Sequence, residues 1–287
     1  MSCNHEIVKY FNFTKNLTIE AGKILKEAIN LEKTIEFKDH CGDLVTQTDK
    51  NIEQILITAL KNEYPNHKFL AEESSYGSTE KLILDDAPTW IIDPIDGTTN
   101  FVHGFPQCCI SIGLSINKII ELGIIYNPSN DELYTAIKGQ GAFLNGKRLK
   151  ASNITELSRA MIIIEPTMLK LGSKFAEIWN ERISALCKIA EGSRNVGSAA
   201  LAMAYVARGI IDAFHLDGLK PWDVAAGYLI INEAGGTVIS SKGGPFNFME
   251  PMTLATSTIQ LATEISKIII DSDLQIQRKK IKENNDK

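Results

Sequence analysis

The sequence predicts a mixed fold of helices and strands, of the α+β or α/β class, on three observations. Apolar residues recur at helical spacing in two segments before residue 65. Between residues 105 and 150, β-rich segments alternate with turn signals, which predicts an antiparallel meander. Beyond residue 150 the pattern changes to alternating strands and helices. We therefore expect one domain over residues 1–287, softly divided near residue 150 into an N-terminal α+β part and a C-terminal α/β part that ends at 277.

Helical periodicity dominates the first part of the chain. Residues 6–30 carry repeated apolar side chains, which from Leu17 on fit one face of a helix, and a second stripe runs from Ile52 to Leu60 before Pro65 ends it. Asp49 stands in the first turn of this second helix, where a carboxylate complements the helix dipole. Taken alone, Asp49 is interpreted as a capping residue. The other expected elements here are strands at 34–37 and 69–71 and a polar loop at 38–43.

The central stretch is Ile91-Ile92-Asp93-Pro94-Ile95-Asp96-Gly97-Thr98-Thr99. An apolar run predicts a buried strand that ends at Asp93, and Pro94 stiffens the exit. Gly97 relaxes the backbone so that one of the two following threonines can cap a helix. This layout brings carboxylate oxygens, which Mg²⁺ prefers, next to free N–H groups, which bind phosphate. The alternative is a surface turn, because Asp, Pro, Gly and Thr are all common in turns.

Two further acidic positions are candidates for the same site. Glu72 and Glu73 follow a predicted strand and precede Asp93 by about twenty residues. A solvated pair is the ordinary interpretation, but the pair also fits the end of a neighbouring strand that converges on the same ion. Asp223 follows Pro221, which suits the first position of a helix. Its carboxylate is expected either to cap that helix or to bind the ion.

Turn signals and composition locate the remaining elements. The expected strands are 108–116, 119–126, 132–136, 161–164 and 210–214, with a hairpin from 143–144 to 148–149 through Asn145-Gly146. The expected helices are 174–189, the segment through Ala207 that Ser198 caps, and one that begins at Pro221. The sequence contains no internal repeat and no low-complexity segment, so repeat architectures are excluded.

Composition and charge exclude several classes of protein. Hydrophobic residues make up 44% and charged residues 23%, which is ordinary for a soluble protein. The net charge of −5 provides no global basic field for nucleic acid or a membrane surface. No apolar run approaches the ~20 residues of a membrane span. The end of the chain is locally basic, and we expect a flexible tail at 278–287.

The five cysteines are odd in number and show neither C-x-x-C nor zinc-ligand spacing. Cys108 and Cys109 fall in an apolar strand-like run and are expected in the core. No signal pattern is present at the N-terminus, which is polar and acidic. We therefore expect a soluble protein of a reducing compartment, the cytoplasm.

Three separated motifs resemble the inositol monophosphatase family. They are Glu72-Glu73, Asp93-Pro94-Ile95-Asp96-Gly97-Thr98, and Trp222-Asp223 with Gly235-Gly236. The resemblance runs from about Leu17 to about Ile269, and the stretch from Pro88 to His103 is most similar to the animal-type enzymes. It implies a layered α-β-α-β-α sandwich, usually a homodimer. It also implies a Mg²⁺-dependent, lithium-sensitive phosphatase that converts inositol 1-phosphate to inositol and phosphate without a covalent intermediate.

Carried over residue by residue, the resemblance implies two or three magnesium ions. Glu72, Asp93 and the Ile95 carbonyl would bind the first ion. Asp93, Asp96 and Asp223 would bind the second, and a third, weaker ion would lie beside Glu72.

The resemblance also assigns residues to the substrate and the water. The N–H groups of Gly97 and Thr98 would hold the phosphate. Glu72, Thr98 and Asp49 would be catalytic, with Thr98 and Asp49 orienting the attacking water. Lys38 matches a basic position on a mobile loop over the site, and Ala199 would offer its N–H to a substrate hydroxyl.

One position departs from the family pattern. The family has a glutamate ahead of its Trp-Asp motif that accepts hydrogen bonds from inositol hydroxyls, and here that position is Leu216, followed by Asp217. Either Asp217 substitutes through a small shift, or the pocket has become less selective. Two alternatives stay open: a phosphatase for fructose 1,6-bisphosphate, another sugar phosphate or a nucleotide 3′-phosphate, and a non-catalytic regulatory protein with the same fold.

Overall fold

The structure is a computed structural model that describes residues 2–33, 35–37, 44–75, 83–166, 169 and 173–285. The helices are α1 (Ser2–Ala28), α2 (Gln47–Glu63), α3 (Glu72–Ser75), α4 (Thr98–Val102), α5 (Ser173–Cys187), α6 (Ala199–Arg208), α7 (Pro221–Glu233) and α8 (Ile259–Asn285). None of the helices in these residues is long and apolar enough to cross a membrane.

The strands form two large sheets and one small ribbon. The ribbon pairs β1 (Ile35–Phe37) with β2 (Leu44–Thr46). The first large sheet contains β3 (Lys68–Ala71), β4 (Thr89–Asp96), β5 (Cys109–Ile116), β6 (Ile119–Asn127), β7 (Glu132–Ile137), β8 (Gly141–Leu144) and β9 (Lys147–Arg148). The second contains β10 (Met161–Ile163), β11 (Gly192–Arg194), β12 (Ala213–Asp217), β13 (Thr237–Ser240) and β14 (Met252–Thr256).

The seven-stranded sheet contains the predicted meander. Its strands follow the order β3-β4-β5-β6-β7-β8-β9; β3 and β4 are parallel, and every later pair is antiparallel. The turn between β8 and β9 has φ of 48° at Asn145 and 77° at Gly146. Two positive φ values are the geometry that favours Asn-Gly in hairpins, so this prediction is confirmed.

The five-stranded sheet has the order β11-β10-β12-β14-β13. β10 runs parallel to both of its neighbours, whereas β14 is antiparallel to β12 and to β13. The first large sheet uses residues 68–148 and the second uses 161–256. The soft subdivision expected near residue 150 therefore falls between the two sheets.

In the part of the chain that the structure describes, buried apolar side chains form three cores within a stack of five layers. One core joins α1 and α2 to one face of the seven-stranded sheet through residues such as Leu25, Leu56 and Ile92. A second joins the opposite face of that sheet to α6 and α7, and these helices to the five-stranded sheet. The third covers the outer face of the five-stranded sheet with α5 and α8. This is the α-β-α-β-α sandwich that the resemblance implied.

Helix α7 lies unusually close to the seven-stranded sheet, where it contacts β4, β5 and β6. A Cβ atom added at Gly123 would lie only 2.7 Å from the Ala226 carbonyl oxygen. Glycine at this position therefore permits the backbones to approach, because any side chain would push α7 away. The close approach brings the first turn of α7 towards β4.

Several boundaries differ from those expected. β4 does not end at Asp93 but continues through Pro94 to Asp96, with a register shift against β5 between the two acids. Proline lacks an N–H and is tolerated where regular pairing is interrupted. The strand expected at 210–214 begins instead at Ala213, because Gly209 ends α6 with φ of 75° and a turn follows.

The C-terminal segment holds elements that periodicity did not predict. β13, β14 and α8 all lie beyond residue 236. Residues expected to form a flexible basic tail continue α8 as far as Asn285, and Lys280 Nζ lies 2.7 Å from Glu177 Oε2 on α5. The contact with α5 supports the helix here.

Candidate active site

Asp93 and Asp96 project from the irregular end of β4. Both are buried, and Asp93 Oδ1 accepts a hydrogen bond of 3.0 Å from the Ile95 N–H. The register shift between them breaks the strict alternation of a strand, in which residues three apart point to opposite faces. The irregularity therefore allows both carboxylates to face the same region.

Asp223 joins these two acids from the first turn of α7. Pro221 occupies the first helical position, as predicted, and Asp223 Oδ2 accepts a 2.6 Å hydrogen bond from the Lys220 N–H. Asp93, Asp96 and Asp223 each contribute one carboxylate oxygen, and these three oxygens lie within 4.8 Å of one another. Asp223 is thus both a cap and a member of the cluster, so the two interpretations left open by the sequence are compatible.

Burial and mutual repulsion act on all three carboxyl groups. Burial raises the pKa of Asp93 well above its ordinary value, and the nearby Glu72, Asp96 and Asp223 raise it further. Burial also raises the pKa of Asp223, with Asp96 and Glu72 adding to the effect. The pKa of Asp96 rises to about 6, mainly through burial, although hydrogen bonds from Ser198 and Ala200 oppose the rise. Asp93 and Asp96 are buried and Asp223 is partly buried, and such a group of acids suits a divalent cation with hard oxygen ligands.

Glu72 approaches the same cluster from the neighbouring strand. It is the first residue of α3, directly after β3, which is parallel to β4. Its charge raises the pKa of Asp49, Asp93, Asp96 and Asp223 after the larger effect of burial, which places its carboxylate near all four. The convergence of two strand ends is the arrangement that the sequence offered as an alternative to a solvated pair.

Gly97 and Thr98 form the turn from β4 into α4. Gly97 is the N-cap with φ of 91°, and a Cβ added there would lie 2.9 Å from the Gln107 carbonyl oxygen. The expectation that a threonine caps this helix is therefore wrong, because only glycine fits the left-handed conformation and the narrow space. Thr98 Oγ1 instead lies 3.2 Å from Asp49 Oδ1 and 3.0 Å from the Ile95 carbonyl oxygen.

Asp49 has a double role in the structure. Its Oδ2 accepts hydrogen bonds from the N–H and the hydroxyl of Thr46, at 2.9 and 2.5 Å, which completes a capping box at the start of α2. Its Oδ1 faces Thr98. Burial raises the pKa of Asp49, and hydrogen bonds from Thr46 oppose that shift. The capping prediction is confirmed, and the same side chain also reaches the site.

Ala199 directs its backbone towards Asp96. The Ala199 and Ala200 N–H groups donate to the Asp96 carboxylate at 3.3 and 2.7 Å, and the Ser198 hydroxyl donates to it as well. Ser198 is also the predicted cap of α6, since its Oγ accepts from the Leu201 N–H at 3.2 Å. The sequence indicated Ser198 only as a cap, because its contact with Asp96 spans about a hundred residues.

Leu216 and Asp217 point to opposite faces of β12. Leu216 is buried in the core that contains Trp222, next to the start of α7. Asp217 Oδ2 lies 2.7 Å from Arg182 Nη1, and Asp217 also accepts a hydrogen bond from Ser241 Oγ at 2.9 Å. Neighbouring residues in a strand face opposite sides. The structure therefore does not bring Asp217 into the acidic cluster.

Two other residues complete the description of the site. Asn100, which sequence reasoning missed, donates from Nδ2 to the carbonyls of Gln107 and Val196, at 2.7 and 2.8 Å. It ties α4 to the segment before α6, and nothing in its sequence context indicates this long-range contact. Lys38 lies outside the described residues.

Comparison with known proteins identifies the family of this chain. The model of the inositol monophosphatase family matches residues 7–273. Inositol monophosphatase 1 of Bos taurus is 43% identical over 90% of this chain and 93% of its own length. Inositol monophosphatase 2 of Homo sapiens is 41% identical over 90% of each chain. The crystal structure of extragenic suppressor protein suhB from Bartonella henselae matches with a TM-score of 0.82 at 32% identity, covering 91% of this chain and 98% of that one.

The layered fold, the acidic centre and these likenesses define a phosphoric monoester hydrolase. The chain belongs to the inositol monophosphatase family.

Proposed function

We propose that this protein hydrolyses a phosphate monoester in a Mg²⁺-dependent reaction, with inositol 1-phosphate as the favoured substrate. The observation that carries the proposal is the convergence of Asp93, Asp96 and Asp223, with oxygens within 4.8 Å, beside the helix start at Gly97 and Thr98. Relatives that are about 40% identical bear the name inositol monophosphatase.

Glu72, Asp93, the Ile95 carbonyl, Asp96 and Asp223 would hold two or three Mg²⁺ ions. When bound, such ions lower the pKa of water, neutralise charge on the phosphate and stabilise the leaving oxygen. The donor set fits this role, because the buried carboxylates repel one another without a cation. They would also repel a dianionic phosphate, so the acids favour substrate binding only when cations reverse the local field.

The remaining groups position the substrate and the water. The N–H groups of Gly97 and Thr98 lie at the start of α4 and would donate to phosphate oxygens. Asp49 Oδ1 can accept a hydrogen bond of 3.2 Å from the Thr98 hydroxyl. Thr98 Oγ1 can then accept a hydrogen bond from a water molecule. Asp49, Thr98 and Glu72 would thus hold the attacking water beside the phosphate. That Ala199 and Lys38 contact the substrate stays a prediction.

A broader specificity is favoured by one observation, the pair Leu216 and Asp217. Leucine offers no acceptor to a substrate hydroxyl, and Asp217 is engaged by Arg182 on the opposite face of β12. We therefore infer that other sugar phosphates, fructose 1,6-bisphosphate or a nucleotide 3′-phosphate are accepted more readily than a glutamate at this position would allow. A purely regulatory role is disfavoured, because Asp93, Asp96 and Asp223 are all present and converge.

The assembly and location rest on the resemblance and on composition. We propose a homodimer, located in the cytoplasm, in which residues 1–287 form a single phosphatase domain. Both large sheets contribute to the site, since β4 carries Asp93 and the start of α7 follows β12. Multi-angle light scattering of the purified chain tests the dimer directly.

A phosphate-release assay tests the proposed function. The purified protein is supplied with Mg²⁺ and, separately, with inositol 1-phosphate, fructose 1,6-bisphosphate, a nucleoside 3′-phosphate and glycerol 2-phosphate. We expect turnover of inositol 1-phosphate that EDTA abolishes and added Mg²⁺ restores. Absence of turnover with every substrate, or full activity in EDTA, contradicts the proposal.

A further inference from the structure

A buried carboxylate outside the acidic cluster holds the helix turn that presents Glu72. Glu53 lies on α2, one turn after Asp49, and is only 3% exposed. Its Oε2 accepts the Glu73 N–H at 2.7 Å, and its Oε1 accepts the Ser74 N–H at 2.8 Å and the Ser74 hydroxyl. Among the residues that the structure describes, every donor to this carboxylate thus comes from α3.

The two acids on α2 have different targets. Residues four apart on a helix project from the same face. Asp49 faces Thr98 at the start of α4, whereas Glu53 faces the first turn of α3. α2 therefore contacts two of the helix starts that border the acidic cluster, those of α3 and α4.

The contacts of Glu53 fix the backbone rather than a side chain. The first N–H groups of a helix have no partner within the helix, and α3 has only four residues with which to hold its shape. A carboxylate that accepts two of these N–H groups fixes the orientation of the turn. Because Glu72 is the residue immediately before Glu73, that orientation determines where the Glu72 carboxylate lies.

We propose that Glu53 is a positioning residue for the metal centre, which sets the affinity of the ion site that Glu72 completes. This inference rests on the proposed function. Partners that orient metal ligands without touching the ion typically change metal affinity 10–100-fold when removed, so a roughly tenfold effect is expected.

The test is divalent-cation binding by the Glu53→Gln protein. Glutamine has the same shape as glutamate. Its NH₂ group, however, must face one of the two backbone N–H groups that donate to the carboxylate, and an NH₂ group cannot accept that hydrogen bond. Mn²⁺ binding is measured by electron paramagnetic resonance, and the Mg²⁺ activation curve by phosphate release. We expect Mn²⁺ to bind about tenfold more weakly at one of its sites, the site that Glu72 completes. At saturating Mg²⁺, we expect kcat within about threefold of wild type and an unchanged substrate KM.

Two further variants separate positioning from general stability. Glu63→Gln alters an exposed acid on the same helix, 3.6 Å from Lys9 Nζ, and is expected to leave Mn²⁺ binding unchanged. Ser74→Ala removes one of the three donors and keeps both N–H groups; we expect binding about threefold weaker. A loss of folded protein lowers the amount of bound Mn²⁺ but not its dissociation constant.

An unchanged Mn²⁺ dissociation constant in folded Glu53→Gln protein overturns the proposal. If that variant does not fold, an unchanged constant in Ser74→Ala overturns it instead. Wild-type protein that binds no Mn²⁺ and releases no phosphate contradicts the proposed function. Wild-type activity combined with unaltered binding in the variants contradicts only the role of Glu53.

Discussion

Arg182 and Asp217 form a buried ion pair with 2.7 Å between Nη1 and Oδ2. The same guanidinium binds Asp273 through Nε and Nη2, both at 2.7 Å, so it joins α5, β12 and α8. Asp273 is further paired with Lys242 Nζ at 2.8 Å. Asp217 therefore belongs to a network that holds the outer layer on the five-stranded sheet, and its carboxylate is not available to a substrate.

Asp217→Ala is expected to reduce stability and leave substrate choice unchanged. Removing one partner of a buried pair leaves charge uncompensated, and we expect the free energy of unfolding to fall by about 3 kcal/mol in a urea titration. The matched control is Lys138→Met, which breaks the more exposed pair with Glu121 (3.1 Å) and is expected to cost less than about 1 kcal/mol. A tenfold rise in KM for inositol 1-phosphate would show instead that Asp217 reaches the substrate.

Leu216→Glu is expected to improve discrimination in favour of inositol 1-phosphate. A glutamate here restores an acceptor on the face of β12 that packs towards Trp222 and the start of α7. We expect the ratio of kcat/KM for inositol 1-phosphate over glycerol 2-phosphate to rise about tenfold, the effect of one hydrogen bond to a charged group. Leu216→Met, which keeps the volume without the charge, is the control. If neither Leu216→Glu nor Asp217→Ala alters the ratio, this segment does not set selectivity.

Asp93→Asn is expected to lower the phosphatase rate at least about a hundredfold. Asp93 is the acid for which Glu72, Asp96 and Asp223 are all close neighbours, so the amide removes charge from the middle of the cluster. Asp86→Asn is the control, because Asp86 is exposed and lies 3.8 Å from Lys118 Nζ. Initial rates at saturating Mg²⁺ provide the measurement. Near-normal turnover by Asp93→Asn would rule out a mechanism that depends on this centre.

Lithium is expected to inhibit at millimolar concentration and uncompetitively with substrate, by occupying a magnesium position after turnover. This expectation comes from the resemblance to the family and from the convergence of Asp93, Asp96 and Asp223. The measurement is a series of velocity curves at increasing lithium, with sodium at equal ionic strength as the control. Velocity curves that about 50 mM lithium leaves unchanged would contradict this prediction, because that concentration is a large excess over a millimolar inhibition constant.

Local patterns predicted most of the elements and the outline of the site. The helical stripe ending at Pro65, the meander and the Asn145-Gly146 hairpin all depend on interactions between near neighbours. For the same reason Pro221 and Asp223 were predicted correctly in the first turn of α7. The end of β4 was misplaced because its extension past Pro94 depends on pairing with β5, which lies beyond α4.

The sequence by itself determined which acids are candidates for the metal centre. The acids Glu72, Asp93, Asp96 and Asp223, each at the end of a strand or the start of a helix, are read from the order of residue types. Only the tertiary structure decided which distant residues contact one another in and around this centre. Asp217 binds Arg182, Glu53 holds α3, and the N–H groups that begin α6 are directed to Asp96. These contacts join residues about 20 to 100 positions apart, and they form only when the layers pack, so no local pattern in the chain records them.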